Sequence, residues 1–127
     1  MSKSFVLLWM LFNHVFDDYH LQGILANLKQ KSWWQDNAPQ DMYKYDYIIA
    51  LLMHSISWAF LIMLPIAMSS DFSVDGLYVW TFALNALIHA LIDDLKANQH
   101  KINLVVDQGF HLLQIVVTYM MYVPALA

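Results

Sequence analysis

From Tyr47 to Met68 the chain runs for 22 residues without a charged side chain. At a rise of about 1.5 Å per residue, that is enough helix to cross a hydrocarbon layer of about 30 Å. The run predicts a transmembrane helix over 43–69, so the rest of the chain has to be compatible with a bilayer. Phe110 to Ala127 repeats the signal, with only His111, Gln114 and Thr118 as notably polar groups. It predicts a second such helix over 101–125, its last turn disturbed by Pro124. Two shorter apolar runs, Phe5 to Phe16 and Leu77 to Ile92, predict helices over 4–28 and 77–97. These two can extend through the charges that follow only if those charges face neighbouring helices instead of lipid.

Composition agrees, since 60% of the residues are hydrophobic and 13% charged, about half the charged share of a soluble domain. A chain of 127 residues has room for one domain. The expectation is an all-α, integral membrane four-helix bundle of antiparallel up-down topology, a single transmembrane domain over 1–127. The apolar stretch from Ser4 to Phe16 has the look of a signal peptide. It runs into His14, Asp17 and Asp18 without a small-residue cleavage pattern, so it is read as retained. Lys29, Lys31, Lys44, Lys96 and Lys101 sit at the first and third connections, and only Lys3 lies on the other side. By the positive-inside rule this places both termini outside, in a multi-pass protein of the inner (cytoplasmic) membrane, with Trp33 and Trp34 as interfacial anchors.

Every acidic residue is Asp, every basic one is Lys, and there is no cysteine. Thiolate ligands, disulfides and arginine phosphate clamps are therefore excluded, and no basic patch points to nucleic acid. What the chain has instead is histidine and aspartate at helical spacing. His14, Asp18 and Gln22 recur every four residues and share an arc of roughly 80° on one helix face. Asn85, His89 and Asp93 repeat the step, Lys96 returns to the same arc, and Asp107, His111 and Gln114 share a face of the last helix. His54 comes from the second helix. In an antiparallel arrangement all of these fall toward the lysine-bearing loops, which predicts one cluster rather than four separate sites.

An ionised Asp inside a membrane costs at least about 2.5–3.5 kcal/mol on insertion scales, so several need mutual pairing or a cation. Imidazole nitrogen and carboxylate oxygen suit a divalent metal, zinc first, with manganese and iron as alternatives, and bundle cores build such sites from facing helices. The expected ligands are His14, Asp18, His54, His89, Asp93, Asp107 and His111. A proton-relay or purely structural hydrogen-bond network is the competing reading. Asp94 reads as a solvated helix end, and Asp17 and His20 as lining the mouth or facing headgroups. Ser70 and Ser73 lie at the end opposite the histidines and make no Ser-His-Asp case.

The residues His14-x3-Asp18-x3-Gln22, His54, His89-x3-Asp93-x2-Lys96 and Asp107-Gln108-x2-His111 resemble a domain-of-unknown-function family of small bacterial and phage-encoded four-helix membrane proteins. Asp17 and His20 depart from the small or apolar residues usual at those positions. A looser similarity is to inner-membrane metal-dependent hydrolases, which place His and Asp in transmembrane helices. That similarity is an analogy; the excess of possible ligands, able to hold one metal or two and leave a water position open, is what points to hydrolysis of a lipid or another membrane-delivered substrate. Asp18 and Asp93 would then be catalytic, and Lys96 at the mouth would neutralise an anionic group. The alternatives are a proton or metal-ion transporter and a non-enzymatic phage or bacterial membrane module. Trp9, Trp58, Ile62, Trp80 and Tyr119 offer no polar continuation through the far half, which argues against a monomeric channel. The lipid bilayer is the expected partner, with homo-oligomerisation compatible with the small size.

Overall fold

The structure is a computed structural model that describes residues 1–125. It is all-helical, with no strand among the described residues. In chain order the α-helices are α1 (Lys3–Phe16), α2 (Leu25–Leu28), α3 (Lys31–Asn37), α4 (Asp46–Ser69), α5 (Gly76–Ala97) and α6 (Leu104–Tyr122). A π-helical turn (Asp17–Leu21) follows α1, and 3-10 turns lie at Asp41–Tyr43 and Val123–Ala125. α1 packs against α4 and α6, α4 against α5, and α5 against α6. Three of the helices, α4, α5 and α6, are long and apolar enough to cross a membrane.

Caps explain where the long helices start. The Asp75 carboxylate accepts from the Tyr78 N–H at 2.8 Å, and the Asn103 side chain accepts from Val106 N–H at 2.9 Å. Each satisfies a donor that the first helical turn leaves free. α6 therefore begins at Leu104, later than the 101 expected from its sequence. At its other end Pro124 lies in the 3-10 turn that closes the helix. Pro65 lies inside α4, where it cannot donate to the carbonyl of Leu61. The Asn13 amide on α1 donates to that Leu61 carbonyl at 2.7 Å. The proline interruption is thus also a contact between α1 and α4.

The first helix departs most from its expected span of 4–28. After Phe16 the backbone widens into the π turn, closed by Gln22 N–H donating to Asp17 O at 3.1 Å. Gly23 then takes φ +50°, a left-handed conformation that costs glycine little, and α2 starts at Leu25. The connection expected at 29–42 contains α3, and α4 begins at Asp46 after the 3-10 turn. The π turn begins at Asp17 and carries both adjacent carboxylates. In the π turn both are buried, at 0% and 8% exposure.

The polarity of the molecule is inverted relative to a water-soluble fold. Leu8, Phe12, Phe60, Trp80, Leu91, Leu113 and Met120 stand on the outside. Histidine and aspartate fill part of the inside, with His89, His111, Asp17 and Asp107 all at 0% exposure. The purely apolar core, around Val6, Met10, Trp58, Ile62, Met63, Ile66 and Ile115, occupies the half of the helices away from that cluster.

Candidate metal centre

Trp58 forms the floor between the apolar half and the polar half. Its ring stacks on His89, with centroids 4.2 Å apart, and His89 in turn stacks on His111 at 4.0 Å. The Trp58 indole N–H donates to His14 Nδ1 at 2.9 Å. An indole nitrogen can only donate, so His14 Nδ1 carries no proton and its Nε2 is the donor, reaching Gln108 Oε1 at 3.0 Å. Both nitrogens of His14 are thereby engaged. Gln108 passes the order on, its amide donating to Asp18 Oδ2 at 3.2 Å and to Asp107 Oδ2 at 3.0 Å.

Above this floor three donor atoms from three segments converge. His54 Nε2 of α4 and His89 Nε2 of α5 are 3.2 Å apart, and Asp18 Oδ1 of the π turn lies 3.4 Å from the first and 3.8 Å from the second. Two facing ring nitrogens can share one proton at most. Asp18 Oδ1 is buried and accepts no hydrogen bond from any described group. Such a triangle fits a cation, because ligands held at about 2.0–2.2 Å in tetrahedral geometry stand about 3.3–3.6 Å apart. Asp18, His54 and His89 could therefore hold a metal ion.

The surroundings of the triangle are those of an oriented ligand set. His54 directs its other nitrogen, Nδ1, at Asp17 Oδ2 3.4 Å away, and Ser57 Oγ donates to Asp17 Oδ1 at 2.7 Å. A carboxylate behind a metal-binding imidazole fixes its tautomer and ring angle. On the opposite side Asp93 Oδ2 lies 3.5 Å from His54 Nε2 and 3.8 Å from His89 Nε2. It accepts from Lys29 Nζ at 2.6 Å. Asp93 Oδ1 turns the other way, to His111 Nε2 at 3.3 Å, and the same nitrogen is 3.3 Å from Asp107 Oδ1. Asp107 Oδ2 accepts from Lys96 at 2.7 Å.

Charge accounting sharpens this geometry. Asp17, Asp18, Asp93 and Asp107 are four buried carboxylates, and Lys29 and Lys96 are the two ammonium groups paired with them. With neutral imidazoles two negative charges are left over. Each uncompensated buried ion costs several kcal/mol, and one divalent cation would cancel both.

The structure brings His54, His89, Asp18, Asp93, His111 and Asp107 into one connected cluster, with His14 at its edge, committed to Trp58 and Gln108. Lys96 reaches the cluster through Asp107, its side chain 28% exposed. Asp94 is a helix-end group, accepting from Asn98 and Gln99. His20 is exposed against Phe16 and takes no part. Asp17, read from the sequence as a mouth residue, is buried behind His54.

Lys29 and Trp58 were missed as site residues. Lys29 carried only the general signal of a loop lysine, and its 6% exposure depends on the turn at Gly23. The expectation that the far half lacks polar continuation is also corrected. Gln114 Oε1 lies 3.3 Å from His111 Nδ1, the Gln114 amide donates to Asn85 Oδ1 at 3.2 Å, and Asn85 donates to Thr118 at 2.9 Å. Farther along, Tyr122 donates to Thr81 at 2.7 Å. These side chains form a polar ladder between α5 and α6. No family model, curated protein or solved structure matches the chain, so the site is read from its own geometry.

Proposed function

We propose that this is an integral membrane protein whose α1, α4, α5 and α6 form an antiparallel four-helix bundle around one tightly held divalent cation, zinc first. The observation that carries the reading is the convergence of Asp18 Oδ1, His54 Nε2 and His89 Nε2 within 3.2–3.8 Å, with Asp18 Oδ1 left without a partner. The apolar exterior supports the bilayer. Burying a Leu or Phe side chain is worth about 1.5–3 kcal/mol, so leaving so many outward-facing in water would be strongly unfavourable.

Three protein ligands leave a fourth position free, the arrangement of catalytic rather than structural zinc sites. This supports metal-dependent hydrolysis of a lipid or another membrane-delivered substrate. The ion would supply a bound water of pKa about 7. Asp93, beside both imidazoles, would take its proton. A groove of about 310 Å³ between α5 and α6, lined by Leu84, Ile88, Phe110 and Leu113 and reaching Gln114, gives a hydrocarbon chain a lateral approach. A second reading, proton or metal-ion transport, is favoured by the ladder from His111 through Gln114 and Asn85 to Thr118.

The test is elemental analysis of the detergent-purified chain after dialysis. One zinc per chain in the wild type, lost in His54→Ala and in Asp18→Asn, is the expected result. Absence of metal in the wild type, or full metal content in both variants, would refute the reading. Zinc-dependent release of product from phospholipid vesicles would select hydrolysis. Zinc or proton flux into liposomes without turnover would select transport.

A further inference from the structure

Resting on that reading, we infer that the cluster contains a second, weaker cation position, formed by Asp93 Oδ1, His111 Nε2 and Asp107 Oδ1, with the Asp93 carboxylate standing between the two positions. The two oxygens of Asp93 face different partners. Oδ2 points to His54 and His89, at 3.5 and 3.8 Å, while Oδ1 points to His111 at 3.3 Å. Oδ1 is thereby turned away from the first position, while Oδ2 stays beside it on Lys29.

His111 Nε2 lies 3.3 Å from each of its two carboxylate oxygens, the spacing of neighbouring donors around one ion bound at about 2.0–2.2 Å. Asp107 Oδ1 supplies an independent pointer. Its residue is 0% exposed, and this oxygen accepts no hydrogen bond from any described group. On the far side of His111, Gln114 Oε1 lies 3.3 Å from Nδ1, which holds Nε2 toward the carboxylates in the way an outer-shell acceptor orients a metal-binding histidine.

The charges explain why this position is weaker. Both of its carboxylates already carry an ammonium on their other oxygen, Lys29 on Asp93 and Lys96 on Asp107, at 2.6 and 2.7 Å. With the imidazoles neutral and the first ion bound the cluster carries no net charge, so a second dication enters against the two lysines. Lys96 is the one able to yield. Its side chain is 28% exposed, whereas that of Lys29 is 8% exposed, and its long stem can carry the ammonium to the surface. Lys96 thus acts as a built-in competitor for the second ion.

The experiment titrates chelator-stripped, detergent-purified full-length chain with Zn²⁺, following bound metal by equilibrium dialysis. The wild type is expected to bind two ions in two steps of different affinity. Asp107→Asn should weaken the second step at least about tenfold and leave the first in place. Lys96→Gln should tighten the second step. A wild type that saturates at one ion overturns the second position and leaves the first reading intact. So does a second step indifferent to both substitutions. A chain that binds no ion overturns both readings, and a first step that survives His54→Ala overturns the first. If Asp107→Asn fails to fold, the wild-type stoichiometry and the direction of the Lys96→Gln shift decide the matter.

Discussion

Asp17→Asn tests whether the buried carboxylate behind His54 works through the imidazole. In the wild type Ser57 holds Asp17 Oδ1 at 2.7 Å, leaving Oδ2 to face His54 Nδ1 at 3.4 Å. Neither atom has a hydrogen-bond partner among the described groups, and a carboxylate there would favour the ring proton on Nδ1, with the Nε2 lone pair toward Asp18 and His89. An asparagine that keeps its oxygen on Ser57 turns its amide toward His54 instead. A donor there favours the other tautomer, with the proton on Nε2, where it blocks the ligand atom. Loss of such an outer-shell partner weakens metal binding by about 10–100-fold, or about 1.4–2.7 kcal/mol at 1.36 kcal/mol per factor of ten. The assay is zinc affinity by competition with a chromophoric chelator, alongside thermal unfolding of the metal-free chain in detergent. Weakened affinity with stoichiometry kept is the expected outcome, with Asp17→Ala at least as weak. Unchanged affinity in both variants would refute the tautomer argument.

Three further outcomes follow from particular contacts. Lys29→Met leaves Asp93 without its buried cation and should destabilise the metal-free chain by about 3–5 kcal/mol; saturating zinc should recover much of that in a denaturation series. Asn13→Ala strips the partner from the Leu61 carbonyl that Pro65 leaves free, costing about 1–3 kcal/mol, with zinc content unchanged by elemental analysis. Because imidazoles and carboxylates bind metal only when deprotonated, acidification should release zinc, and dialysis at stepped pH would show it.

Helical periodicity in the sequence marks Asp18, His89, Asp93, Asp107 and His111 as inward-facing, because side chains four residues apart stack on one face whatever the helix packs against. The same uncharged runs mark α4 and α6, since length and hydropathy are properties of the chain itself. Tertiary structure alone decided the rest. It set which oxygen of Asp93 faces which histidine, and it buried Lys29 by turning the chain at Gly23. It placed Asp17 behind His54 by widening one turn, and it committed both nitrogens of His14 to Trp58 and Gln108. Those outcomes depend on side chains 40 to 94 positions apart meeting at about 3 Å. Periodicity fixes direction around one helix axis, but depth and rotation between helices are fixed only when the helices pack.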